Sequence, residues 1–248
     1  MPDDVAGPVD EEPGLLAPVR RPTAGEQLAD RLLTALALGA FSPGERLPSE
    51  RDLAAQLQTS RATVRDAVHR LAAAGHVEVR RGRSGGAYVL QVWTGDSAAA
   101  VRRTIPDRAS ADGHQDFRGL VEGLVARTAA ERRDDVDVQA LREVLAAFTR
   151  VQTLEQARLL DARLHRAVAA AAHNADLAAL SERLQRESTL GFGLEPFTEE
   201  VLARARPQHA ALVEAVLDGD GDLAAEVATG HFTLTAEALS ELRRRAGA

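Results

Sequence analysis

The chain has 248 residues, no cysteine and a formal net charge of −7, so it is long enough for two ordinary domains. The lack of cysteine excludes disulfides, cysteine-ligated zinc and a thiol nucleophile. A metal site would therefore need histidine or carboxylate ligands. Aromatic residues make up only 3%, while alanine and leucine, which favour helices, are abundant, and this composition argues against an all-β protein. The negative charge argues at first against nucleic-acid binding.

The charge is unevenly distributed along the chain. Residues 1–23 are proline-rich, carry five acidic residues against two arginines, and are predicted to be a disordered tail. Residues 24–90 carry nine arginines against seven acidic residues, whereas the remainder has a net charge of −6. We find neither a signal peptide nor an uncharged stretch long enough to span a membrane, which predicts a cytoplasmic protein without a membrane partner.

Segment 24–90 shows helical periodicity followed by strand periodicity. The predicted elements in chain order are helices over 26–38, 50–57 and 61–74 and strands over 77–80 and 87–90. Ser60 is the predicted N-cap of the third helix. The apolar residues of that helix lie at helical spacing and predict one buried face: Val64, Ala67, Val68 and Leu71. An order of helix, helix, turn, helix and hairpin predicts a winged helix-turn-helix domain.

The rest of the chain is predicted to be helical after a linker. Residues 91–114 mix glycine, aspartate, serine, alanine and Pro106 with one tryptophan, Trp93, and we predict a linker. Segment 115–246 contains six predicted amphipathic helices, over 115–133, 137–150, 154–173, 175–190, 197–217 and 222–246. Short connections between such helices indicate an antiparallel bundle. The predicted fold is therefore mainly α, with an N-terminal winged helix-turn-helix and a C-terminal all-helical bundle.

The third helix carries the residue types that read DNA. A helix-turn-helix places the N-terminus of its second helix at the base edges of the major groove, and an arginine fork matches guanine there. Arginines in the wing turn can enter the minor groove or bind phosphate, and glycine between them allows close approach. The predicted DNA-binding residues are Arg51, Ser60, Arg61, Thr63, Arg65, Arg81, Gly82 and Arg83. The alternatives are a solvated arginine face, or a winged helix used only for protein contacts.

Three motifs in this segment resemble one family of regulators. They are Leu47-Pro48-Ser49-Glu50-Arg51, then Ser60-Arg61-x-Thr63-Val64-Arg65, and the Arg81-Gly82 wing. Together they resemble the DNA-binding domain of GntR-family bacterial transcription regulators. The resemblance implies a homodimer that binds short palindromic operator DNA. It also implies DNA contacts at the positions of Arg51, Arg61, Thr63, Arg65 and Gly82.

A second group of residues could hold a metal ion in the bundle. Asp161 and His165 lie four residues apart and so share one face of a predicted helix, which borders the core. His209 and His231 lie on two later helices, so three helices could direct one carboxylate and three imidazoles into the bundle. Such ligands suit Zn²⁺, Ni²⁺, Mn²⁺ or Fe²⁺. Each histidine considered alone could equally be a hydrogen-bonded or surface residue.

Region 115–240 also resembles the FCD effector domain of the FadR-like branch of the GntR family. In its metal-binding members, an Asp-x₃-His pair, a later histidine and a histidine of the last helix hold a divalent metal. The resemblance implies the same role for Asp161, His165, His209 and His231. We expect Zn²⁺ as the preferred ion. Effector contacts are expected at Arg118, Glu122, Asn174 and Arg186. The two arginines are the expected clamps for a small carboxylate. The alternative for each is a surface ion pair.

These features predict a homodimeric, ligand-responsive transcription repressor rather than an enzyme. One alternative is a regulator in which the metal itself is the signal. Another is a metalloenzyme fused to a DNA-binding domain, for which Glu122 is the sole residue we would name as a base. The acidic bundle argues against a protein that coats DNA without regard to sequence.

Overall fold

The computed structural model describes residues 21–82, 85–105, 108–191 and 197–247. For residues 108–111 it describes the backbone only. Within these ranges it contains ten helices and one two-stranded sheet. In chain order they are α1 (Ala24–Leu38), α2 (Glu50–Gln56), α3 (Arg61–Ala73), β1 (Val77–Arg80), β2 (Gly86–Val89), α4 (Gly95–Thr104), α5 (Arg108–Arg132), α6 (Asp135–Thr149), α7 (Leu154–Ala171), α8 (Ala175–Ser188), α9 (Glu199–Asp218) and α10 (Gly221–Ala246). The predicted fold class is confirmed.

Helices α1 to α3 and the hairpin form the N-terminal unit, which we call the head. The buried residues of α3 are Val64, Ala67, Val68 and Leu71, the four predicted from helical spacing. They pack on Leu32 and Leu36 of α1 in one apolar core. The antiparallel hairpin pairs Val77 with Val89 and Arg80 with Gly86. Of the predicted tail, residues 1–20 lie outside the described residues, and Thr23 caps α1 with Glu26 in a capping box.

Segment 91–114, predicted as a linker, is largely helical in the structure. It contains α4 and the first turns of α5. Val101 and Ile105 are buried against Leu38 of α1 and against Leu239 and Leu242 of α10. Tertiary burial of this short apolar face, which composition does not register, stabilises the helix. The segment therefore packs against both units as well as connecting them.

Helices α5 to α10 form the bundle around a second apolar core. Its fully buried residues include Ala129, Leu164 and Val213. Helix α5 lies closely against α10 because Gly123 has no side chain there: a Cβ atom at this position would lie 2.7 Å from Thr229 Oγ1 and 3.2 Å from the Ala225 carbonyl oxygen. Among the described residues, we find no helix that combines the length and apolarity needed to cross a membrane.

Candidate DNA-reading surface and buried metal centre

The N-terminus of α3 is exposed and locally ordered. Ser60 is its N-cap, and the Ser60 Oγ accepts a hydrogen bond from the Thr63 N–H at 3.0 Å. The two hydroxyl oxygens of Ser60 and Thr63 lie 2.8 Å apart. Arg61 is exposed beside them. Hydroxyl and guanidinium groups are therefore presented together at the helix end that a helix-turn-helix inserts into the groove.

Arg65 is held by Glu50, a residue that we did not predict for this surface. Arg65 Nη2 lies 2.8 Å from Glu50 Oε2, and Arg65 Nε donates to the carboxylate at 3.1 Å. The hydrogen bond from Arg65 lowers the pKa of Glu50. The pair connects α2 to α3 and restricts the guanidinium while leaving it about half exposed. Glu50 of α2 therefore positions the Arg65 side chain on α3.

The other predicted DNA contacts flank α3. The Arg51 side chain is 81% exposed and lies 3.3 Å from Asp52. Arg81 and Gly82 are exposed at the tip of the hairpin, where Gly82 has a φ of 101°, a conformation that favours glycine. The predicted contact Arg83 lies outside the described residues. The exposed Arg46, which forms a bridge to β2 at Tyr88, adds a basic residue at the wing that the motifs did not indicate.

Four buried side chains from three helices converge inside the bundle. His209 Nε2 lies 3.2 Å from Asp161 Oδ1 and 3.1 Å from His231 Nε2. His165 Nε2 lies 3.4 Å from the same carboxylate oxygen and 3.2 Å from His231 Nε2. All four residues are buried, and their ligand atoms lie within 4.8 Å of one another. We call this group the Asp–His₃ cluster.

Two groups of the cluster, Asp161 and His231, favour the protonation states that bind a cation. Burial acts to raise the pKa of Asp161, but His165 and His209 outweigh it and hold this pKa below its ordinary value. Burial, together with the two neighbouring histidines, lowers the pKa of His231 well below its ordinary value. Gln208 Oε1 lies 3.0 Å from His231 Nδ1, so a proton on Nδ1 leaves the Nε2 lone pair facing the cluster.

The spacing also fits a metal. Zinc–nitrogen bonds of about 2.0–2.1 Å in a tetrahedron separate ligand atoms by about 3.3–3.4 Å. Four separations between the ligand atoms, at 3.1–3.4 Å, are close to this value. Three imidazoles and one carboxylate are also the donor set that such divalent ions accept. The residues present therefore fit the expected ion.

Aromatic rings and a buried arginine surround the cluster. Phe148 packs edge-on against His209, with ring centroids 4.5 Å apart, and Phe232 packs against His165 at 4.9 Å. The Arg118 guanidinium lies over the Phe232 ring, 4.3 Å from its centroid. This arginine is only 1% exposed. A fixed positive charge thus lies beside the cluster in a largely dehydrated environment, where it interacts strongly with an anion.

Comparison with known proteins agrees with this architecture. Residues 24–89 match the bacterial regulatory proteins, gntR family, and residues 115–234 match the FCD domain. The chain is 31% identical over 220 residues to the HTH-type transcriptional regulator RmpR of Mycobacterium gastri, covering 84% of this chain and 77% of that protein.

The chain belongs to the GntR family. The galactonate operon transcriptional repressor of Escherichia coli is 29% identical to it, covering 82% of this chain and 91% of that protein. A solved structure of a Streptococcus agalactiae GntR protein is 23% identical with a TM-score of 0.45, covering 86% of this chain and 99% of that one. The predicted family is confirmed, and the chain is a DNA-binding transcription regulator of the GntR type with an FCD domain.

The structure separates the four effector residues predicted for this GntR-family chain. Arg118 lies beside the cluster, and Glu122, one turn further along α5, accepts hydrogen bonds from Ser181 at 2.9 and 3.0 Å. Asn174 instead caps α8 by accepting from the Asp176 and Leu177 N–H groups. Arg186 pairs with Glu182 at 2.6 Å, about half exposed, in a cleft between head and bundle. The surface-pair alternative thus describes Arg186.

The sequence analysis of this GntR-family protein did not predict some residues that lie near the cluster. Gln208, Ser181 and Phe232 each contact a predicted site residue. Gln208 and Phe232 directly follow or precede a predicted ligand along the chain, so proximity was an available signal. Ser181 lies on a helix for which only Arg186 was considered, and nothing in its local sequence distinguishes it.

Proposed function

We propose that this protein is a homodimeric repressor whose operator affinity is controlled by a small carboxylate bound next to a divalent metal. Two heads would read the half-sites of a palindrome, with Arg61 and Arg65 at the base edges and Arg51, Ser60, Thr63, Arg81, Gly82 and Arg83 at phosphates or groove edges. Because the head has a net charge of only +2, specific contacts and dimerisation must supply much of the affinity.

The observation that carries the effector proposal is the convergence of the Asp–His₃ cluster. Asp161, His165, His209 and His231 would hold the metal, which when bound supplies a Lewis-acid site for a carboxylate oxygen. The Arg118 guanidinium, which lies over the Phe232 ring beside the cluster, would oppose the negative charge of the same ligand. Ser181 would donate a hydrogen bond to a polar group of the ligand, and Glu122 would accept one from it. We retain Zn²⁺ as the preferred ion.

A second function is favoured by the size of the ligand set. Four protein ligands suffice to complete a tetrahedral shell around Zn²⁺ and would leave no position for an effector. In that case the metal itself is the signal. The two functions differ in one measurable property: a metal sensor responds to the ion alone, whereas an effector-responsive repressor needs the carboxylate as well.

The experiment begins with metal content. Elemental analysis should find about one divalent ion per wild-type chain and its loss in a His209→Ala/His231→Ala variant, while His69→Ala, an exposed histidine on α3, should retain it. Undiminished metal in the double variant would refute the assignment. Operator affinity is then measured with metal alone and with metal plus a panel of small carboxylic acids. A change with metal alone favours the sensor, and a change that needs the acid and disappears in Arg118→Met favours the effector-controlled repressor.

A further inference from the structure

A large cleft lies between one side of the head and the bundle. Its volume is about 1510 Å³, and it is lined by α1 and the end of α2 on one side and by α7 and α8 on the other. None of the four cluster residues is among the described residues that line it. The cleft is therefore a different site from the one proposed above, and it lies where two units with opposite net charge meet.

Arg31 of α1 is the most informative residue in this cleft. Its side chain is partly buried, and Nη2 donates a hydrogen bond to the Leu190 carbonyl oxygen at 2.5 Å. Burial lowers the pKa of Arg31, with no carboxylate acting in the opposite direction. Within the described part of the chain, no acidic side chain forms an ion pair with it. Such a group is expensive to desolvate unless an anion joins it.

The acidic residues that line the cleft already have cationic partners. Asp30 is bound by Arg103 through two contacts of 2.6 Å. Glu182 is paired with Arg186 at 2.6 Å, and Glu187 lies 3.9 Å from Arg183 and 3.9 Å from His114. These carboxylates are therefore not available to neutralise further arginines in the cleft.

Two more side chains with donor groups line the same cleft from the bundle. Arg166 of α7 is exposed on the cleft wall, and no ion pair involves it among the described residues. Gln185 of α8 lines the cleft while being only 8% exposed, and its Nε2 has no hydrogen-bond acceptor in the described structure. Three donor groups without matching carboxylates thus occur in one cleft.

We infer that the cleft binds a small multivalent anion, a phosphorylated or polycarboxylate metabolite, through Arg31, Arg166 and Gln185. Guanidinium groups form paired, charge-assisted hydrogen bonds with phosphate and carboxylate oxygens. The volume exceeds that of an inorganic anion and is sufficient for a metabolite-sized ligand. This site is independent of the Asp–His₃ cluster and does not rest on the function proposed for it.

Such a ligand would connect the two units of the protein. Arg31 belongs to the head, whereas Arg166 and Gln185 belong to the bundle. A bound anion therefore stabilises the arrangement in which these groups lie close together, and it shifts operator affinity to the extent that DNA prefers a different arrangement. Inorganic phosphate, a hexose 6-phosphate and citrate are suitable probes because they differ in the carrier of the charge.

The test measures thermal unfolding and calorimetric binding in the His209→Ala/His231→Ala background, which removes the proposed metal-dependent site. At constant ionic strength, at least one probe should bind saturably, while glucose should not. Adding Arg31→Gln and Arg166→Gln should weaken that binding at least 10-fold. The matched control, Arg142→Gln with Arg163→Gln, removes the same charge from exposed positions outside the cleft lining and should retain binding.

Three outcomes would overturn the inference: no probe binds saturably, the cleft and control variants weaken binding equally, or binding occurs only when the histidines are intact. A phosphate ester that binds where citrate does not would identify a phosphorylated ligand, and the reverse would identify a polycarboxylate. If the Arg31 substitution prevents folding, Arg166→Gln alone provides the same comparison because that side chain is exposed. Because binding is measured in the His209→Ala/His231→Ala background, the first two outcomes do not depend on whether the metal cluster has the function proposed for it.

Discussion

The contact between Arg158 and Glu45 provides the sharpest stability test of how bundle and head are joined. Arg158 of α7 is fully buried, forms an ion pair with Glu45 of the head, and donates through Nη1 to the Gly39 carbonyl oxygen at 3.2 Å. Glu45 is 11% exposed and also accepts a hydrogen bond from the Ser42 N–H at 2.9 Å. Without Glu45, the buried Arg158 would keep only the Gly39 carbonyl oxygen as a partner, whereas without Arg158 the carboxylate of Glu45 would keep the Ser42 N–H.

This asymmetry sets the expected magnitudes. Glu45→Ala leaves a buried guanidinium with only a carbonyl acceptor, which should cost about 3 kcal/mol in unfolding free energy. Arg158→Met keeps most of the apolar packing, and Glu45 keeps its Ser42 contact, so the expected cost is about 1 kcal/mol. The double variant should cost no more than about 2 kcal/mol because it leaves no unpaired buried charge. The coupling energy is then about 2 kcal/mol.

Urea denaturation followed by helical circular dichroism gives the four free energies of this double-mutant cycle. Glu237→Ala provides the control, because its ion pair with Arg204 also joins two helices at 2.7 Å but both side chains are about half exposed. That control should cost less than about 0.5 kcal/mol. If the Glu45 and Arg158 costs add within about 0.5 kcal/mol, the pair is not coupled and the reasoning is refuted.

Three further predictions concern single positions. Arg61→Ala should reduce specific operator affinity by about 1–3 kcal/mol without changing the circular dichroism spectrum, and an unchanged DNase footprint would contradict its role. Burial lowers the pKa of His76, and Asp96, 4.0 Å away, opposes this only in part. The free energy of unfolding should therefore decrease as the pH falls below about 6.5, the pKa of histidine in the unfolded chain. The variant His76→Leu should show a flatter pH dependence in thermal melts. Gly123→Val should destabilise by about 1–3 kcal/mol through contact with α10, whereas Gly230→Ala, with open space at its Cβ, should stabilise by up to about 1 kcal/mol.

Local periodicity accounts for what the sequence predicted well. The buried face of α3 and the shared face of Asp161 and His165 both follow from helical spacing. His209 and His231 reach that face only through the packing of three helices, which helical spacing does not predict. We expected them to meet there mainly because of the resemblance to the FCD domain. Helix α4 was missed because we gave more weight to the glycine, aspartate, serine and proline of segment 91–114 than to its run of three alanines. Its apolar Val101 and the following Ile105 are buried only where both units pack against them.

Charged residues are harder to assign from sequence for the same reason. Arg158 and Arg118 resemble the solvated arginines of other helices, yet both are buried. Arg158 pairs with Glu45, which is distant along the chain, and Arg118 packs on Phe232 of α10 while also lying 4.0 Å from Glu122 on its own helix. The pairing of Arg65 with Glu50 depends on the angle between α2 and α3, which residue spacing does not give. A pattern identifies which residues share one helix face, but the partner on another helix is set by packing.

Helix α7 provides a direct physical connection between the metal cluster and the head. Arg158, Asp161 and His165 lie at i, i+3 and i+7, so the head contact and two cluster residues share one face of a single helix. We expect a ligand that displaces this face to shift the buried contact with Glu45 as well, because a close-packed interior transmits strain. The decisive comparison is the effector-induced change in operator affinity, which should decrease in the Arg158→Met/Glu45→Ala variant while its metal content stays at the wild-type level.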